Sequence, residues 1–340
     1  MKKILIILAV CLAVVSSAFA YNKLPGKGTT LKPARATWDT GYFQEAIIRE
    51  AMQELGYKVE KPKDLSNPLF YQSLYLGDVD YWANGWFPTH DNQLPKNFYD
   101  KADKVGYVVK AGGLQGYLVS KVYAEKYNIK SLDDFKREEV KKAFDSNGDG
   151  KADLTACPPG WGCEKIIAHH MKAYKLGKDI NLIKASYSAS MAEELAKFKS
   201  GKPVFFYTWA PNWTIFKMKP GQDVVWINVP KIDPAGSQAQ AVDRMTVADV
   251  TGAVSNPVKL GFVVSDIRVV ANKKFLAKNP AAKKFFELFS LSLAEINEQN
   301  TKMNEGEKSD KDIQRHALAW IAKHQDTWNG WIEEARKAAD

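Results

Sequence analysis

The chain has 340 residues, with 48 lysines and arginines against 39 aspartates and glutamates, a net charge of +9. The basic residues are scattered among acids rather than gathered into a stripe, which argues against a nucleic-acid partner. The length suits two domains of ordinary size, and after residue 20 no apolar run approaches the roughly 20 residues that a bilayer span needs.

Lys2 and Lys3 precede an apolar run from Ile4 to Val15, and Ala18 and Ala20 give the small-x-small cleavage pattern. Residues 1–20 therefore read as a secretory signal peptide, and the protein as exported. The apolar run is too short for a membrane anchor, and Val10 before Cys11 is a poor residue for lipoprotein cleavage. Without Cys11 the exported chain keeps Cys157 and Cys163. In an oxidising compartment such a pair is expected to form a disulfide. The spacing is not C-x-x-C, which argues against a redox role.

In chain order, Lys32 to Trp38 reads as a first strand. Asp39 or Thr40 caps a helix with apolar positions Phe43, Ile47, Ile48, Met52 and Leu55, closed by Gly56. Tyr57 to Glu60 is a short strand and Leu69 to Leu76 a helix. Val79 to Ala83 is a strand leading into a loop, Asn84-Gly85-Trp86-Phe87-Pro88-Thr89-His90-Asp91. Val105–Val109 and Gln115–Val119 are extended, and Ser131 to Asp134 has the capping-box form. Asp145 to Gly150 opens like a calcium loop, but the twelfth position is Ala156 where a bidentate acid belongs, so it reads as a turn with calcium as the alternative. Glu164 to Leu176 and Ser190 to Lys199 are helices, and Ile180 to Lys184, Pro203 to Thr208 and Val224 to Val229 are strands. Residues 230–258 are loop-rich. Gly261–Val264 and Arg268–Ala271 return the chain to the first domain, and helices fill the rest. The expected fold is α/β, with two lobes joined by two crossings: a first lobe of 21–112 and 266–340, and a second of 113–265.

In an open α/β sheet ligands bind beyond the carboxyl ends of strands. Trp86, Trp161 and Trp209 each fall in a loop or at a strand end beside or near Gly or Pro, whereas Trp226, Trp320, Trp328 and Trp331 sit in apolar patterns and read as core. The loop Cys157-Pro-Pro-Gly-Trp-Gly-Cys163 feeds a helix N-terminus, whose free N–H groups and dipole suit a small anion. Aromatic faces select a quaternary ammonium, which has no N–H to donate. Three indoles and an anion site thus describe a receptor for a small zwitterion, with His90 and the Gly162 and Cys163 amides as the anion donors. His169, His170, His316 and His324 have no metal-ligand spacing, so neither metal nor cofactor is expected. No G-x-S-x-G elbow or other catalytic set is present, which argues against an enzyme.

The combination Gly85-Trp-Phe-Pro-Thr-His-Asp91, Asp145-Ser-Asn-Gly-Asp-Gly-Lys-Ala-Asp-Leu154, Cys157-Pro-Pro-Gly-Trp-Gly-Cys-Glu164 and Tyr207-Thr-Trp-Ala-Pro-Asn-Trp213 resembles the glycine betaine/proline betaine-binding proteins of ProU-type ABC importers. The likeness runs from about Leu24 into the C-terminal helices. It implies a periplasmic receptor of the two-lobed type II kind, working with a membrane permease and its ATPase, and a hinged receptor of this kind is expected to be a monomer. It implies an aromatic box of Trp86, Trp161 and Trp209 around the trimethylammonium, carboxylate contacts from His90, Gly162 and Cys163, and a Cys157–Cys163 disulfide. Two features depart from the pattern: Trp38, which reads as a packing residue, and the stretch 231–260, which bears on the preferred betaine. The alternatives are a receptor for another quaternary amine such as choline, or a calcium-dependent or carbohydrate-binding exported module.

Overall fold

The computed structural model describes residues 24–340; the expected signal peptide lies outside the described residues. A nine-stranded sheet organises the chain, in two halves that share one long strand, Ala102–Ser120. On one side this strand pairs antiparallel with Ser265–Asn272, followed by Tyr81–Phe87, Pro33–Arg35 and Lys63–Asp64. On the other its C-terminal part, from Leu114 onward, pairs with Phe205–Ala210, followed by Ala152–Thr155 and Ile180–Ile183. Val224–Ile227 adds to the same end of the long strand. Within each half the outer strands run parallel, as crossover helices require. The fold is thus mixed α/β, in two halves.

Several elements differ from their sequence reading. Tyr81–Phe87 is a strand of seven buried residues, so Asn84, Gly85 and Trp86 lie within it rather than in a loop. A strand covered on both faces loses the alternation that marks a half-exposed one. Trp209 likewise lies inside Phe205–Ala210. The segments read as Val105–Val109 and Gln115–Val119 are one strand, because new pairing partners take over from Leu114 onward. Gly261–Val264 stays irregular and Ser265–Asn272 is continuous. Ser131 forms its capping box, here on a short 3-10 helix, Leu132–Lys136.

The Thr40–Glu54 helix buries Phe43, Ile47, Ile48 and Met52 against the sheet, as its spacing predicts. C-terminal helices Pro280–Leu288, Leu293–Asn304, Asp310–Lys323 and Gln325–Lys337 close over the same half. Trp226, Trp320 and Trp328 are buried and Trp331 is half-buried. No helix among the described residues is long and apolar enough to cross a membrane.

The Asp145–Gly150 loop uses its first carboxylate on its own backbone. One Asp145 oxygen accepts the N–H of Gly148 at 2.7 Å and the other that of Gly150 at 2.9 Å, the economy of an Asx turn.

Glu45 lies on the core side of the Thr40–Glu54 helix with both carboxylate oxygens unbonded and Arg49 Nε at 3.7 Å. Burial pushes its carboxyl up to about 7 from the ordinary 4.5. The folded state therefore holds this proton where the unfolded chain releases it. Stability from the protonated form is fully present below about 4.5 and is lost as pH rises towards 7. The interval corresponds to roughly 3 kcal/mol. Glu45→Gln is expected to raise the melting temperature by several degrees at pH 8 and to change it little at pH 4.5. Thermal unfolding at both values checks this, and equal shifts at the two would contradict it.

Candidate functional site

Where the two halves of the sheet face each other, Trp86, His90, Trp161, Gly162, Cys163 and Trp209 line a single cavity, about 310 Å³ with its open mouth. All six residues named from the sequence are thus brought together. Trp38, Thr89, Gln115 and Tyr207 complete the lining. Trp86 is the penultimate residue of one strand and Trp209 of another, and each is anchored by antiparallel pairing, Trp86 opposite Ile267 and Trp209 opposite Gln115.

The indoles form a continuous surface. Trp161 meets Trp209 edge-on at 5.6 Å between ring centroids and Trp38 at 5.3 Å. Trp38 and Trp86 are tied together by one buried amide: Asn84 Oδ1 accepts both indole N–H groups, at 2.7 and 2.8 Å. Asn84 in turn donates to Gln44. Gly113 leaves room for the Trp86 ring, since a Cβ there would stand 2.7 Å from Cζ3. Below the rings Tyr207 donates to Gln115 at 2.7 Å, and Gln115 donates to Thr89 at 3.0 Å.

The disulfide expected between Cys157 and Cys163 is present, with 5.8 Å between Cα atoms. Closing this short loop contributes roughly 2 kcal/mol in the chain-entropy picture, and it fixes the turn that leads into the Gly162–Ala173 helix. Trp161 occupies the N-cap, and Glu164 reaches back to accept the Gly160 N–H at 2.8 Å. Gly162 and Cys163 are the first helical residues, so their amides have no intrahelical acceptor and carry the positive end of the dipole into the cavity.

His90 faces them from the opposite side. Its Nδ1 accepts the backbone N–H of Trp86 at 3.2 Å and lies 2.8 Å from the Tyr71 hydroxyl. A backbone amide can only donate, so Nδ1 carries no proton and the neutral ring holds its proton on Nε2. Burial pushes the imidazole down to about 3, which keeps it neutral at ordinary pH. Nε2 lies 3.0 Å from Asn67 Nδ2, which donates to Gln93 at 2.8 Å; both nitrogens carry hydrogen, so Asn67 offers no acceptor to the Nε2–H. A Cβ at Gly162 would stand 2.7 Å from His90 Cδ2 and 3.0 Å from Thr89 Cγ2, so only glycine permits this approach. The arrangement joins a wall of aromatic faces to an uncharged N–H and a helix N-terminus.

Contacts across the cleft hold the two halves together. Trp161 donates its indole N–H to Thr37 at 2.9 Å. Thr40 donates to the Pro211 carbonyl at 3.2 Å. Lys217 pairs with Glu305 at 2.7 Å. A second cavity, about 530 Å³ with its open mouth, lies beside the first; Trp38, Trp161 and Trp209 line both. Asp39, expected as a helix cap, makes no capping bond and lines this outer space instead.

Sequence reasoning passed over Asn84, Gln115 and Tyr207 and read Trp38 as packing. A usable signal existed for two of them: Asn84 and Gln115 are uncharged amides set in otherwise apolar strands, where burial demands a partner.

Residues 29–323 match the family described as the substrate-binding domain of ABC-type glycine betaine transport systems. Over 332 residues the chain is 41% identical to the glycine betaine-binding periplasmic protein OusX of Dickeya dadantii (strain 3937), covering 98% of this chain and 97% of that one. Identity is also 41% over 325 residues to the glycine betaine/proline betaine-binding periplasmic protein of Salmonella typhimurium (strain LT2), covering 96% and 95%. Among solved structures, the fold is shared with the glycine/betaine/L-proline-binding protein ProX from Borrelia burgdorferi. That match has a TM-score of 0.69 and 17% identity, over 92% of this chain and 100% of the other. With motifs, two-lobed α/β fold and full-length similarity in agreement, the chain belongs to the substrate-binding proteins of ABC-type glycine betaine transport systems.

Proposed function

We propose that this protein is an exported, periplasmic, monomeric receptor that captures glycine betaine or proline betaine and presents it to a membrane permease and its ATPase, without catalysing a reaction. The observation that carries this reading is the single cavity lined together by Trp86, Trp161 and Trp209, by His90, and by Gly162 and Cys163 at a helix N-terminus. A trimethylammonium would lie against Trp86, Trp161 and Trp209, each face worth about 2 kcal/mol when desolvated. The carboxylate would take charge-assisted hydrogen bonds from the two amides and His90. Micromolar affinity needs about 8 kcal/mol net, within reach of the two ends together. Lobe 1 (21–112 and 266–340) and lobe 2 (113–265) would close on the ligand, hinged where the long strand changes partners after Gly113 and where the chain returns at Ser265.

Isothermal titration with glycine betaine at pH 5.5 and pH 8 tests this. Because burial holds His90 near 3, its neutral Nε2–H is the donor at both values, and the affinities are expected to agree within about twofold. Choline, which has no carboxylate, is expected to bind at least about tenfold more weakly, for want of its charge-assisted bonds. Absence of binding by folded, ligand-free protein would sink the receptor reading. Tighter binding of choline than of betaine would sink the assignment of the carboxylate donors.

A further inference from the structure

We propose that Trp38 is a fourth wall of the cation chamber and the residue that sets the size of ammonium head group this receptor accepts. The inference rests on the betaine reading above and extends it to selectivity.

Trp38 is 6% exposed, packs on Trp82 at 5.5 Å and, with Trp161 and Trp209, lines both cavities, so its ring forms part of the partition between the inner chamber and the outer space. A residue that only filled the core would have protein on both faces. Its orientation is also fixed by the chamber itself. The indole N–H is held at 2.7 Å by the same Asn84 oxygen that holds Trp86, so one amide sets two walls together. The ring stands edge-on to Trp161 at 5.3 Å and to His90 at 6.0 Å, and therefore reaches from the cation end towards the carboxylate end. Beyond it the outer cavity is lined by Asp39, Tyr187 and Asn212. Removing the ring would join the two spaces, and substituents larger than methyl would extend into the outer one.

The test is titration of wild type, Trp38→Leu and Trp38→Phe with glycine betaine and with its N,N,N-triethyl analogue. Trp38→Leu is expected to bind glycine betaine about tenfold or more weakly, having lost one aromatic face. The same variant should bind the triethyl compound at least as well as wild type does, so the preference for methyl over ethyl falls by about tenfold or more. Trp38→Phe keeps an aromatic face but not the N–H to Asn84, and should lie between wild type and Trp38→Leu for both ligands. If Trp38→Leu does not fold, a smaller shift of the same preference in Trp38→Phe supports the proposal and an unchanged preference overturns it. Equal weakening for both ligands, with a lowered melting temperature, would mean that Trp38 only packs, and the proposal fails. Wild type that binds neither compound would instead remove the receptor reading on which it rests.

Discussion

Trp161→Ala is expected to weaken glycine betaine binding about 30-fold or more, corresponding to roughly 2 kcal/mol for one desolvated aromatic face. Trp161 is singled out among the indoles because it touches three neighbours of the site at once. It packs against Trp38 and Trp209, and it donates across the cleft to Thr37. The substitution therefore removes a face from the cation and a bond from the closed state. It sits at the N-cap of the Gly162–Ala173 helix but makes no side-chain cap bond, so folding should be little affected. Titration of the variant beside the wild type, with circular dichroism as a check on folding, gives the result. Unchanged affinity in a folded variant would place the aromatic box elsewhere in the protein.

Gly162→Ala should be comparably damaging for a different reason. The added methyl would stand 2.7 Å from His90 Cδ2 and 3.0 Å from Thr89 Cγ2, across the cleft. His90 cannot yield easily, since the Tyr71 hydroxyl and the Trp86 amide hold its ring at Nδ1 and it is fully packed. The strain is relieved only by separating the two halves, at about 1–3 kcal/mol for overpacking of this kind. Affinity is then expected to fall roughly 5- to 150-fold with little change in melting temperature, because the open form is not strained. Titration and thermal unfolding measure the two effects. Betaine affinity within threefold of wild type would show that the halves do not need this contact to hold ligand.

The two substitutions separate the ends of the site. Losing Trp161 should weaken every quaternary ammonium, with or without a carboxylate. Losing Gly162 penalises any ligand that needs the closed cleft, and betaine more than choline because the amides are displaced from the carboxylate.

How much was legible in the sequence depended on how local each feature is. The Thr40–Glu54 helix, the Ser131 capping box and the Asp145 turn are decided by residues within a few positions of one another, and the sequence determined them. The same holds for the loop from Cys157 to Cys163, whose disulfide, N-cap tryptophan and free helix-start amides all lie within seven consecutive residues. Motifs of that density also made the family recognisable. Tertiary structure alone decided the rest. Asn84 is distant in sequence from Trp38, and nothing in either segment says that one amide oxygen will hold two indoles. The long strand Ala102–Ser120 reads as two pieces because its glycines weaken local propensity, and it is continuous because different strands pair with its two ends. Trp38 has the local environment of a core residue; its place between two cavities exists only once both halves of the sheet are folded and face each other. The sequence by itself settled the chemistry of each short segment, since backbone hydrogen bonds and disulfides act at close range. Only the packed structure settled which segments meet, because burial is shared between residues far apart in the chain.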